Sequence, residues 1–176
     1  MQVTMFRASV PVFTRNLKNL IAILGKAEAW ATEKKIEQSV LLNYRLAPDM
    51  FTFTRQVQIA TDMTKGCVSR LAGVDIPSYE DQEATFGELI ARLNKCIDYI
   101  NGFKPGQIDG SESKTITLKR PTGDITYEGL PYLLEYVQPN VYFHCVTAYA
   151  ILRHCGMPLS KTDFIGEVGG RSRRPK

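Results

Sequence analysis

The sequence predicts an all-α fold, a four-helix bundle that carries one small β-hairpin before its last helix. Three observations lead there. Four stretches repeat apolar residues every three or four positions, and one short stretch alternates with a period of two. The composition, 44% hydrophobic and 23% charged over 176 residues, suits a single globular domain with a sizeable core. That domain is expected to span 1–170, with 171–176 as a basic, flexible tail.

Phe6, Val10, Phe13, Leu17, Leu20 and Leu24 form one stripe of a first helix, which Gly25 is expected to end. A connection with a short helical turn then runs to about Arg45. A second helix is expected from about Ala47, with Pro48 and Asp49 in its first turn, where a missing N–H is harmless and a carboxylate complements the helix dipole. Its inward face runs Met50, Phe53, Val57, Ala60, Thr64, Val68 and Leu71, and it stops at Ala72-Gly73.

Thr85 and Glu88 have the spacing of a capping box. Behind them Phe86, Leu89, Ile90, Leu93, Ile97 and Ile100 trace a third helix that ends near Asn101-Gly102. In "KTITLKRPTGDITYEG", Ile116 and Leu118, then Ile125 and Tyr127, alternate about a Pro121-Thr122-Gly123 turn, the pattern of a hairpin. Two strands cannot make a core, so the hairpin is an appendage on the helices. A short helix over "LPYLLEYV" follows, and the last long helix runs from Pro139 to Gly156.

Charge and cysteine usage narrow the function. The net charge of +4 is matched by Arg171, Arg173, Arg174 and Lys176 of the tail, which leaves a neutral body. Nucleic acid is therefore not the expected partner, since specific binders spread cations over a folded face. No apolar run reaches the ~18 residues of a membrane span, and the start "MQVTMFRASVPVF" lacks a leader pattern, so a cytoplasmic chain is expected. Cys67, Cys96, Cys145 and Cys155 form no CxxC pair and read as reduced core thiols.

Both histidines of the chain fall on the last helix. His154, beside Arg153 in the final turn, is expected to be partly exposed and to complement the helix C-terminus. His144 shares a face with Asn140, one helical turn earlier, and is expected to be buried. It is either a core histidine satisfied by hydrogen bonds or an inward-facing site residue. On the second helix Asp49 and Gln56, seven apart, share the edge that could meet Asn140 and His144. Each also has an ordinary reading, Asp49 as a helix-start carboxylate and Gln56 as a solvent-facing or interhelical amide.

The stretches "LAPDMFTFTRQVQIATD", "PNVYFHCVTAYAILRHCG" and "PLSKTDFIG" resemble a bacterial family of unassigned function within the DinB/YfiT-like metalloenzyme superfamily. The resemblance covers nearly the whole chain. It implies a four-helix bundle, often a homodimer, whose zinc or nickel is held by one histidine of the second helix and an HxxxH pair of the last. Aligned on "AYAILRHCG", His144 takes the second position of that pair, Asn140 the first, and Gln56 the second-helix position. With amides at two of three ligand positions, the resemblance implies a degenerate metal site, because an amide oxygen replaces imidazole poorly at zinc or nickel. A small molecule would then bind in the cleft between the second and last helices, lined by Asp49, Gln56, Asn140 and His144. There His144 would act as general base or hydrogen-bond donor with Asp49 or Tyr149 as its partner. Two other readings stand beside this one: a metal-dependent transferase or hydrolase, thiol-transferase-like, using the same cleft, and a non-catalytic dimeric interaction protein.

Overall fold

The computed structural model of the chain describes residues 3–168; the tail at 171–176 lies outside the described residues. Four long helices, α1 (Met5–Lys34), α3 (Phe53–Ala72), α4 (Phe86–Asn101) and α7 (Gln138–His154), carry the core. Between and after them come the short helices α2 (Gln38–Leu42), α5 (Pro105–Ile108), α6 (Gly129–Pro131) and α8 (Lys161–Ile165), and a hairpin of β1 (Thr115–Leu118) and β2 (Ile125–Glu128). Helix α3 packs along α7 on one side and α4 on the other, and α1 packs chiefly along α4 and α8. None of the described helices is long and apolar enough to cross a membrane.

The apolar stripes meet as their spacing requires. Val10, Phe13, Leu17, Leu20 and Leu24 of α1 face Leu89, Leu93, Ile97 and Ile100 of α4, all buried, and the Phe53 ring meets Phe86 edge-on with centroids 5.8 Å apart. The Thr85–Glu88 capping box forms in both directions. The hairpin pairs Ile116 with Tyr127 and Leu118 with Ile125, turning Ile116 and Leu118 inward.

Three boundaries differ from the sequence expectation. Helix α1 runs through Gly25 to Lys34, because a mid-helix glycine costs only ~1 kcal/mol and Ala27 and Ala31 beyond it are buried. It ends instead at Lys35, whose φ of 55° is left-handed and whose N–H bonds back to Ala31 O and Thr32 O. Helix α3 begins at Phe53, not near Ala47: Thr52 supplies the N-cap by accepting from Arg55 N–H, and Pro48 and Asp49 form a separate turn. Third, the expected short helix is continuous with the last one. Tyr132–Val137 winds as a π-helical turn between α6 and α7, with Gln138 N–H donating to Leu133 O.

Candidate functional site

The α3–α7 interface brings together two of the four residues expected to form a site. His144 is 8% exposed and Gln56 1%, and His144 Nδ1 lies 2.7 Å from Gln56 Oε1. Gln56 Nε2 donates to Phe51 O at 3.2 Å, which fixes the amide so that its oxygen faces the ring. The neutral imidazole therefore carries its proton on Nδ1, donates it to Gln56, and keeps the Nε2 lone pair. Burial, then the nearby charge of Arg55, lower the His144 pKa. An amide brings no charge to hold an imidazolium, so the pair keeps the ring neutral near pH 7 and presents Nε2 as an acceptor.

The other expected residues fall elsewhere. Asn140 lies one turn before His144 and is half-buried, but its Nδ2 donates to Tyr136 O of the same helix at 2.6 Å. Asp49 stands exposed in the turn before α3, outside the helix that was expected to carry it. Tyr149 faces α8, its ring edge-on to Phe164 at 6.1 Å. The partner of His144 is thus Gln56 rather than Asp49 or Tyr149. His154 is exposed, with its ring 5.5 Å from that of Tyr44.

The residues present do not fit a zinc or nickel centre. Beside the single imidazole stand two amides, one of them committed to its own helix, and among the described residues no group of three or more His, Cys, Asp or Glu is placed to hold a metal ion. Burial also raises the thiol pKa values, including that of half-buried Cys155. Cys67, Cys96 and Cys145 are buried, and burial pushes Cys96 and Cys145 up to about 12 and Cys67 higher still.

Two charged clusters escaped the sequence reading. Arg92 of α4 is buried, with its guanidinium bonded to Asp62 at 2.9 Å, Glu83 at 3.0 Å, Thr61 at 2.7 Å and Glu80 O at 3.0 Å, while Lys65 pairs with Asp62 at 2.9 Å. Lys65, Arg92 and Lys95 also surround the ring of Tyr79 at 4.4–5.4 Å. This cluster ties the 74–85 connection to α3 and α4. The second cluster, Arg70 with Arg120 and two tyrosines, lies between α3, the hairpin and the π turn; glycine at position 66, inside a helix, was its one signal in the sequence.

Comparison with known proteins places the chain. The family described as Domain of unknown function (DUF1993) matches residues 5–165. No curated protein matches the chain. A crystal structure of a DinB family member protein from Shewanella denitrificans is 40% identical and superposes with a TM-score of 0.86, covering 96% of this chain and 95% of that one. A family match over nearly the whole chain, with a relative so alike in sequence and in fold, makes this protein a member of the DUF1993 family, within the DinB-like superfamily.

Proposed function

We propose that the chain is a DinB/YfiT-like four-helix bundle whose metal site has degenerated, and that it binds a small molecule in the cleft between α3 and α7. The 2.7 Å contact between His144 and Gln56 carries this reading. It joins the two positions that the alignment assigns to one former ligand set, and one of them now holds an amide. His144 serves there as a hydrogen-bonding group, since its lowered pKa and neutral partner disfavour the charged intermediate that acid–base turnover needs. The thiol-transferase-like enzyme is the other reading, and it requires a metal.

Restoring the ligand set tests both. Gln56→His with Asn140→His should place three imidazoles about one point, and the double variant should bind one zinc or nickel and melt at a higher temperature with metal than without. Each replacement should cost on the order of 1 kcal/mol, and the single variants should bind far more weakly. A folded double variant with no metal affinity would count against the alignment. One tightly held metal per wild-type chain, found by elemental analysis, would overturn the degenerate site and favour the enzyme.

The homodimer implied by the resemblance also has a candidate face. Tyr142, Phe143 and Val146 lie at helical spacing on the outward side of α7 and are exposed, Phe143 by 56%, with exposed Phe51 just before α3. We propose that a second copy covers this face. Phe143→Glu with Val146→Glu should convert a dimer to a folded monomer by light scattering; a wild-type monomer at 100 μM would sink the assignment.

A further inference from the structure

Between α3, the hairpin and the π turn lies a cavity whose donors belong to neither the His144–Gln56 pair nor the reading built on it. About 160 Å³ in volume, it is lined by Met63 and Arg70 of α3, Leu118, Lys119 and Arg120 of the hairpin, and Tyr132 and Tyr136 of the π turn. Tyr136 and Tyr132 precede His144 by eight and twelve positions, so the cavity lies roughly 12–18 Å along the helix from that pair.

Its polar groups are fixed in place and nearly all donate. Arg70 Nη1 donates to the Tyr132 hydroxyl at 3.0 Å, and Arg120 Nη2 donates to the Tyr136 hydroxyl at 2.6 Å. The remaining guanidinium N–H groups and both phenolic protons are left to donate elsewhere. Among the described residues no carboxylate lies within ion-pair distance of Arg70 or Arg120, whereas Lys119, which also lines the cavity, is paired with Asp124 at 2.7 Å. Arg70 also owes its position to an absence of bulk. A Cβ on Gly66 would sit 2.7 Å from Arg70 Nη1, so this mid-helix glycine lets the guanidinium fold back toward the tyrosines. Tyr127, Tyr132 and Tyr136 hold one another, with the Tyr136 ring 5.3 Å from Tyr127 and 6.0 Å from Tyr132 in stacked orientations. The phenol of Tyr132 stays protonated, because burial first of all raises its pKa.

Two guanidinium groups and two phenols converge on a small space without an acidic side chain among its lining residues. We propose that this cavity is a binding site for a small oxyanion, a phosphate or a carboxylate, gripped between Arg70 and Arg120 and capped by the hairpin. Guanidinium forks match the paired oxygens of either group. The volume suits an inorganic anion or a small organic acid, since drug-sized ligands need about 300 Å³ or more. The π turn follows from the same demand: its wider winding sets the Tyr132 and Tyr136 hydroxyls against both arginines, and such turns recur at functional sites.

Calorimetric titration of the full chain with inorganic phosphate and with benzoate, at constant ionic strength in chloride, tests the site. At least one of the two should bind stoichiometrically. The one that binds identifies the source: phosphate alone a phosphoryl group, benzoate alone an organic acid, both the oxyanion in general. Arg70→Met should abolish binding and Arg120→Ala should weaken it at least tenfold. Arg120 is exposed on the hairpin, so its variant remains folded even if Arg70→Met does not. No binding of either anion would overturn the site. Binding undiminished in Arg120→Ala would do so as well.

Discussion

Replacing Gly129 with alanine is expected to destabilise the protein by about 3 kcal/mol or more, the upper range of overpacking costs, because the methyl group would meet backbone rather than a movable side chain. Gly129 opens α6, where the chain leaves β2, and an added Cβ would stand 1.9 Å from the Ser111 carbonyl oxygen and 3.4 Å from Leu71 Cδ2. The Ser111–Glu112 segment cannot simply retreat, since Glu112 O accepts from Leu130 N–H at 2.8 Å. A thermal midpoint lowered by roughly 6–12 °C is the corresponding readout. Gly106→Ala, with open space around the added methyl, is the control and should change little. A Gly129→Ala variant that melts with the wild type would show that the hairpin is not seated against the start of α6 as described.

The other large effect is expected at Arg92. Its buried guanidinium is the common partner of Asp62, Asp81 and Glu83, so Arg92→Met should leave several carboxylates facing one another with their main counter-charge gone. Removing one partner of a buried ionic cluster typically costs 3–5 kcal/mol, and about 4 is expected here. Glu83 is the most enclosed of the three acids, and Glu83→Gln in the Arg92→Met background should recover part of the loss. Urea denaturation of the four proteins of this cycle measures the coupling. Losses that simply add would mean that Arg92 is held by packing and not by its acids.

Much of the fold could be read from the residues because its signals are local. The stripes of α1, α3 and α4, the Thr85 cap and the alternation of Ile116 and Leu118 report periodicities that packing then uses unchanged. Gly25 misled because a helix stop and a tolerated mid-helix glycine look alike in sequence, and only the burial of Ala27 and Ala31 decides between them. Pro48-Asp49 and Thr52 offer competing starts for α3, and the hydrogen bond from Arg55 N–H to Thr52 settles the choice. The burial of His144 followed from its face. Helix spacing offered Gln56 only as one of two candidates beside Asp49, and the family alignment alone preferred it, because register between two helices whose residues stand 88 apart leaves no local mark. Arg92 and Arg70 were hidden for the same reason, since their partners arrive from the 74–85 connection, the hairpin and the π turn.

The π turn also makes the helical run from Gly129 to His154 two rulers joined out of phase. One additional residue per turn displaces every side chain before it by about 100° relative to those after it. The tyrosines of the first segment and His144 of the second therefore belong to different angular frames, although no break in the helix divides them. Loss of a single codon within 132–137 would leave composition, charge and helix content almost untouched, yet would rotate Tyr132 off Arg70 or His144 off Gln56. In this helix, spacing along the chain is as much a part of each contact as the residues that make it.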